Sequence, residues 1–254
     1  METTGRTAVV TGAGSGIGRA TAEALARAGM VVVVADRDGA SAKETTAGLT
    51  GEGHQAVEID VSDPGSLETL FTALAGANRD LACVVNAAGI MSGGDAWPGS
   101  DLNRMHRVLA VNGGGAIVAS TLAARYPVPG DRVVVNVGSA AGIRVLPPDP
   151  AYAFTKAGLL HFTRSVAAGA SQKEGGVRAN IVLPGMVRTP LLETSGRDGV
   201  ADWLVKRVAG PLLTPEQVAA PILELVMGNQ NGEAWSIELD PADPSRAVVA
   251  VLGT

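Results

Sequence analysis

The stretch AYAFTKAG at 151–158 places a tyrosine four residues before a lysine. Residues four apart on a helix share one face, so a helical segment would project Tyr152 and Lys156 together, a phenol beside an ammonium. Only two tyrosines occur in 254 residues, so the pair does not come from an aromatic-rich composition. A second group of candidates lies in TGAGSGIG at 11–18, which carries Gly12, Gly16 and Gly18. Glycines let a backbone turn sharply and approach a pyrophosphate, whose charge a following helix N-terminus stabilises. The spacing is TGxxxGxG and not GxGxxG, because Ile and Arg occupy positions 17 and 19. A third candidate is Asp36 in VVVVADRD, eighteen residues beyond Gly18. A carboxylate there can accept hydrogen bonds from ribose hydroxyls and would repel a 2′-phosphate, which favours NAD over NADP. Arg37 is the opposing residue, since a guanidinium tolerates a 2′-phosphate, whereas Ser15 adds no positive charge. Asp38 and Ser41 are better placed than Asp36 to cap the next helix.

These residues need elements to hold them. β-branched runs at 7–11, 30–35, 55–59, 82–86, 132–137, 177–182 and 234–239 alternate with helical stretches near 17–28, 40–49, 64–75, 101–125, 152–169 and 214–227. Near-continuous valine runs suit strands buried on both faces, as in a parallel sheet covered by helices. The predicted class is therefore α/β, a three-layer doubly wound Rossmann fold with a seven-stranded parallel sheet. TPEQVA at 214–219 reads as a capping box with Pro at N1. No repeat or linker divides the chain, so residues 1–254 read as one domain.

Composition excludes several classes. A hydrophobic content of 46% supports a sizeable core. The net charge of −5, without a Lys/Arg cluster, argues against nucleic acid or an anionic membrane as partner. The single cysteine, Cys83, lies in an apolar run and reads as a small buried hydrophobe. With no long apolar leader and no run of 18 apolar residues, the expectation is a cytoplasmic protein. His54, His106 and His161 lack metal-ligand spacing, so no metal site is expected.

With TGAGSGIG, DV at 60–61, NAAG at 86–89, Asn112, Ser139, YAFTK and PGMVRTP at 184–190 in this order, the sequence resembles the classical branch of the short-chain dehydrogenase/reductase family from about Thr7 to Thr189. The resemblance implies that Tyr152 is the general acid/base, with Lys156 beside it, Ser139 on the substrate oxygen and Asn112 holding a water that links Lys156 to solvent. It implies a cofactor cleft formed by Gly12, Ser15, Gly16, Ile17, Gly18, Asp36 and Arg37, with Asp60 and Val61 flanking the adenine. Asn86, Ala87, Ala88 and Gly89 would form or support its floor, and Pro184, Gly185, Val187 and Thr189 the nicotinamide end. Ala87 replaces the second Asn of the commoner NNAG form. A working phenol needs a pKa about three units below 10, and a unit charge at about 4 Å supplies roughly that at an effective dielectric of 20. Lys156 is expected to lower the pKa of Tyr152 on this basis.

Substrate choice is expected between about 189 and 213, a lid whose Val200, Trp203, Leu204 and Val208 follow helical spacing. Ile90, Ile143, Met186, Leu191 and Trp203 are the substrate candidates. Their apolar character points to a small, uncharged, rather hydrophobic secondary alcohol or ketone, oxidised or reduced with NAD. A 3-oxoacyl carrier-protein reductase and a non-catalytic dinucleotide sensor are the alternatives. An extended-branch epimerase would need a longer chain and a TGxxGxxG loop. The ending DPADPSRAVVAVLGT departs from the family's glycine-rich close. A homotetramer or homodimer is expected, with contacts through 101–125 and 152–169.

Overall fold

The structure, a computed structural model, describes residues 4–128, 130–170, 176–193, 195 and 199–253. Its centre is a sheet of strands β1 (Thr7–Thr11), β2 (Val31–Asp36), β3 (Gln55–Glu58), β4 (Leu81–Asn86), β5 (Arg132–Val137), β6 (Val177–Pro184), β7 (Ala234–Leu239) and β8 (Ala247–Val251), in the order β3-β2-β1-β4-β5-β6-β7-β8. The first seven are parallel, and β8 runs antiparallel to β7. The Rossmann-type α/β fold is as expected, with one more strand than the seven anticipated. The extra strand forms because AVVAV follows a loop of Asp, Pro and Ser turn residues. In that loop Asp240 accepts from Ala242 N, and Asp243 accepts from Ser245 N and Oγ, so the chain folds back on itself.

Strand side chains alternate between two cores, the period-2 geometry of a pleated sheet. Ala8, Val10, Val32, Val34, Val85 and Val135 point to one face, where α1 (Gly16–Arg27) and α9 (Pro215–Met227) pack with Leu25, Ile222 and Leu225. Val9, Val33, Val84 and Val134 point to the other, against Leu67, Leu70 and Phe71 of α3 (Pro64–Gly76). Helix α2 (Gly39–Ala47) begins at Asp38, whose carboxylate accepts from Ala40 N and Ser41 N, so Asp38 and not Asp36 is its cap. Helix α9 carries the expected capping box, Thr214 with Gln217.

The helix expected at 101–125 is present but not uniform. It runs as α4 (Leu102–Val108), a wide π-helical turn (Leu109–Gly115) and α5 (Ala116–Ala124). By length and composition Leu102–Ala124 could cross a membrane, with a mean hydropathy of 1.3. Here it lies on the sheet and buries Val108, Val111, Ala119 and Ala123. Helix α6 (Pro150–Ala170) carries the Tyr152 and Lys156 face. The short helices α7 (Pro190–Glu193) and α8 (Asp202–Val208) lie in the segment after β6; positions 194 and 196–198 of the segment expected to form the lid fall outside the described residues.

Candidate active site

Strand order reverses at β1, whose neighbours are β2 on one side and β4 on the other. The loops that leave the carboxyl ends of such strands diverge and open a crevice. Here the crevice is a cleft of about 810 Å³. At its outer end Thr11 pairs with Asn86, which brings Gly12 against Ala88. A Cβ on Gly12 would lie 2.6 Å from Ala88 Cα, and its φ of +66° is left-handed, so glycine is required on both counts. A Cβ on Gly18 would collide with the Gly12 carbonyl oxygen, which holds α1 tight against the loop. Ser15 precedes α1 and does not cap it with its side chain, which leaves the helix's first N–H groups without an acceptor from that residue; Ser15, Gly16, Ile17 and Gly18 line the cleft. Across the cleft a Cβ on Gly16 would lie 3.0 Å from Thr189 Cγ2.

Asp36 ends β2. Its Oδ2 accepts from Gly14 N at 2.8 Å and its Oδ1 from Asp38 N at 2.9 Å, so the carboxylate is fixed by the glycine loop itself. No cation pairs with it among the described residues. Arg37 lines the cleft beside it, as do Asp60, Val61, Ala87, Ala88 and Gly89. Asp60 is bound by Arg107 Nη2 at 2.7 Å and by Ser62 N and Oγ. Burial works against its ionised form, but the Ser62 hydrogen bonds and the Arg107 charge outweigh this and hold its pKa below the usual aspartate value. This cradle of glycines, helix N-terminus and strand-end carboxylate fits a nicotinamide dinucleotide.

Two expected residues act from outside the cleft. Asn86 is buried, and its Nδ2 donates to Asn136 Oδ1 at 2.9 Å and to Ser120 Oγ at 3.1 Å. Asn136 Nδ2 in turn donates to Thr163 Oγ1 of α6, so this network ties the central strands to the helix that carries Tyr152. Asn112 sits in the π turn, 1% exposed, and pairs with both backbone groups of Ile90: Ile90 N donates to Oδ1 at 2.8 Å, and Nδ2 donates to Ile90 O at 2.9 Å. A Cβ on Gly89 would lie 3.5 Å from Asn112 Oδ1 and 3.6 Å from Lys156 Nζ, which leaves a small space between the two.

At the inner end Ser139 follows β5, and its hydroxyl hydrogen-bonds the Tyr152 phenol. Lys156 Nζ donates to Val137 O at 2.8 Å and lies 5.6 Å from the Tyr152 ring centre. The expected lowering of the phenol pKa is absent here. Burial drives Tyr152 up to about 12, with the Ser139 hydrogen bond opposing and the Asp149 charge adding to it. Burial also lowers Lys156 to about 8. Both groups are nearly dry, and desolvation disfavours charge on each. A working phenolate therefore needs positive charge that these side chains do not supply alone.

Around Tyr152 an apolar wall gathers Ile90, Met91, Met186, Leu191, Trp203 and Leu204. Ile143 does not join it: it follows a 3₁₀ turn (Ala140–Gly142), is 42% exposed and points away, while Ala141, Arg144, Val145 and Leu146 face the cleft. Sequence reading also missed Arg107, Arg144, Glu238 and Leu239. Arg144 Nη1 and Glu238 Oε1 form an ion pair at 2.9 Å on the cleft lining, a contact between positions far apart in the chain with no local signal. Pro184, Gly185 and Val187 line the cleft.

The family described as "Enoyl-(Acyl carrier protein) reductase", adh_short_C2, matches residues 12–232. The chain belongs to the short-chain dehydrogenase/reductase family. Short-chain dehydrogenase relatives include galactitol 2-dehydrogenase of Rhizobium johnstonii, 36% identical over 88% of this chain and 89% of that protein. Cis-4-hydroxycyclohexanecarboxylate dehydrogenase of Sinomonas cyclohexanicum is 34% identical over 85% and 87%. Among solved short-chain dehydrogenase structures, 3-ketoacyl-(acyl-carrier-protein) reductase from Brucella melitensis complexed with NADH superposes with a TM-score of 0.78 at 26% identity, covering 92% of this chain and 96% of that one. As a short-chain dehydrogenase/reductase, the protein is an oxidoreductase acting on CH–OH groups with a nicotinamide dinucleotide.

Proposed function

We propose that the protein is an NAD-dependent enzyme interconverting a small, uncharged, rather hydrophobic secondary alcohol and its ketone. The observation that carries this is one cleft with Asp36 fixed at one end and Ser139, Tyr152 and Lys156 gathered against an apolar wall at the other. Ser139 would hold the substrate oxygen, and Tyr152 would exchange the hydroxyl proton. Bound NAD supplies the hydride acceptor and a positive charge next to the phenol. Lys156 adds to that charge and would pass the proton outward, through a water in the space at Gly89 between its Nζ and Asn112. Asn112, locked to Ile90, holds one wall of that space.

An uncharged substrate agrees with the polar part of the lining, because Arg144 and Glu238 neutralise each other. The relative named for galactitol makes polyols one competing class, and the one named for a hydroxycyclohexanecarboxylate makes cyclic hydroxy acids another, while agreeing with a ring-borne secondary alcohol. The carrier-protein reductase reading rests on the family description and the Brucella structure, and it predicts activity on acyl thioesters. Residues 189–213 act in this proposal as a lid on a single domain spanning 1–254. We further infer a cytoplasmic homo-oligomer, dimer or tetramer, joined through α4, α5 and α6, where Leu102, Leu109, Ile117 and Phe154 are exposed.

The test is a screen of NAD-linked oxidation across uncharged secondary alcohols, polyols, hydroxy acids and hydroxyacyl thioesters, with Tyr152→Phe run beside the native enzyme. The variant should still bind NADH and lose at least about a hundredfold in turnover. Near-native turnover in the variant would refute the role of Tyr152, and a native protein that binds NADH but turns over nothing would support the sensor reading.

A further inference from the structure

Asp149 is a buried carboxylate, 2% exposed, immediately before α6 and three residues before Tyr152. Its Oδ1 accepts from Ser92 Oγ at 2.6 Å and from Tyr152 N at 3.1 Å, and its Oδ2 accepts from Ser92 N at 2.9 Å. All three donors are neutral, and no Lys or Arg pairs with Asp149 among the described residues. A helix start needs only a neutral oxygen, which Ser or Asn supplies equally well. An aspartate adds a full negative charge in a dry site, where charges act over longer distances than at the surface.

From α6 itself, Lys156 Nζ donates to the neutral Val137 O and keeps its charge, 5.6 Å from the Tyr152 ring centre, where it opposes Asp149. The remaining charges bind other groups or lie farther along the cleft. From α4, Arg104 Nε donates to Met91 O at 2.9 Å. Arg107 is paired with Asp60, and Arg144 with Glu238. Arg37 and Asp36 lie at the adenosine end. Burial is the main reason the phenol is held up, and Asp149 is the charge that adds to it.

We propose that Asp149 is a positioning residue that sets the pH at which Tyr152 turns from proton donor to proton acceptor. It ties the Tyr152 backbone to the Ser92 loop, and its charge adds to burial in holding the proton on the phenol. Ketone reduction is then supported through the neutral range, and alcohol oxidation rises only in alkaline solution. The proposal rests on the acid/base role of Tyr152 given above.

A titration without substrate or cofactor tests it. The ultraviolet absorbance of tyrosinate is followed against pH in the native protein minus Tyr152→Phe, which cancels Tyr126. The same difference is taken in the Asp149→Asn, Asp149→Ser and Ser92→Ala backgrounds. Both Asp149 variants remove the charge, and the second keeps a good cap if the first folds poorly. Each should move the Tyr152 transition toward acid by on the order of one pH unit. Ser92→Ala keeps the charge and weakens only the tether, so it should give no acid shift. The acid limb of NAD-linked oxidation should move with the titration. Unmoved transitions in both Asp149 variants, or an equal acid shift in Ser92→Ala, overturn the proposal. A transition that shifts while the oxidation profile stays fixed confirms the effect of Asp149 on the phenol and overturns Tyr152 as the acid/base.

Discussion

Lys156→Met should make the protein more stable at neutral pH while it loses its activity. The ammonium is 5% exposed, and burial lowers its pKa from 10.5 to about 8. At about 1.4 kcal/mol per pH unit, that fall corresponds to roughly 3 kcal/mol of destabilisation from holding the charge in a dry site. Below pH 8 folded and unfolded chains both carry the proton, and the full penalty applies. Between pH 8 and 10.5 the unfolded chain still holds a proton that the folded one has released, so native stability rises with pH. Met keeps the length of the stem but leaves Val137 O without its donor, which costs about 1.5 kcal/mol. The variant should therefore gain on the order of 1–2 kcal/mol at pH 7, or roughly 2–8 °C in melting temperature for a chain of this size. At pH 10 the native lysine is largely neutral and still donates to Val137 O, so the gain should vanish or reverse. Thermal melts of both proteins without cofactor at pH 7 and pH 10 measure this. A variant that melts below the native protein by the same margin at both pH values would refute the desolvation argument.

Three further outcomes follow from the same geometry. Gly18→Ala should cost most of the dinucleotide affinity, because its Cβ meets the Gly12 carbonyl; a native-like rise in melting temperature on adding NADH would contradict it. The native enzyme should prefer NAD to NADP by more than tenfold in kcat/KM, and Asp36→Ala should narrow that ratio; equal efficiency in the native enzyme would mean that Arg37 governs the site. Oxidation of uncharged alcohols should improve with length at about 0.8 kcal/mol per buried methylene, close to fourfold, and Trp203→Ala should flatten the climb without weakening NADH; polyols as the best substrates would show that the apolar wall only seats the segment.

Much of the frame is legible in local sequence. Valine runs reveal strands buried on both faces, and the glycines at 12 and 18 mark contacts that only a missing Cβ permits. Tyr152 and Lys156 need only the helical repeat to be placed side by side. What stays hidden depends on tertiary surroundings. The AVVAV run becomes β8 because the Asp–Pro–Ser turn folds it back onto the edge that β7 offers. Ile143 looks like a pocket residue until the 3₁₀ turn before it points the chain outward. The pKa of Tyr152 moves opposite to expectation because burial depends on every element packed around the phenol, whereas sequence spacing reveals only its nearest charge. Arg144 and Glu238 meet across the fold with no pattern to announce them.

The π turn at Leu109–Gly115 also bears on how the chain tolerates changes of length. Regular helix places successive residues about 100° apart, and a wide turn absorbs one residue more than that repeat allows. Deleting Gly113, whose surroundings are open, would let α4 and α5 join in a single regular register and would remove a poor helix former. The shortened helix would be the sturdier one, yet Asn112 would lose the wide turn that sets it against Ile90. A one-residue deletion at this place therefore separates folding from chemistry: the wide turn is a surplus that the helix does not need and that the proposed proton path does.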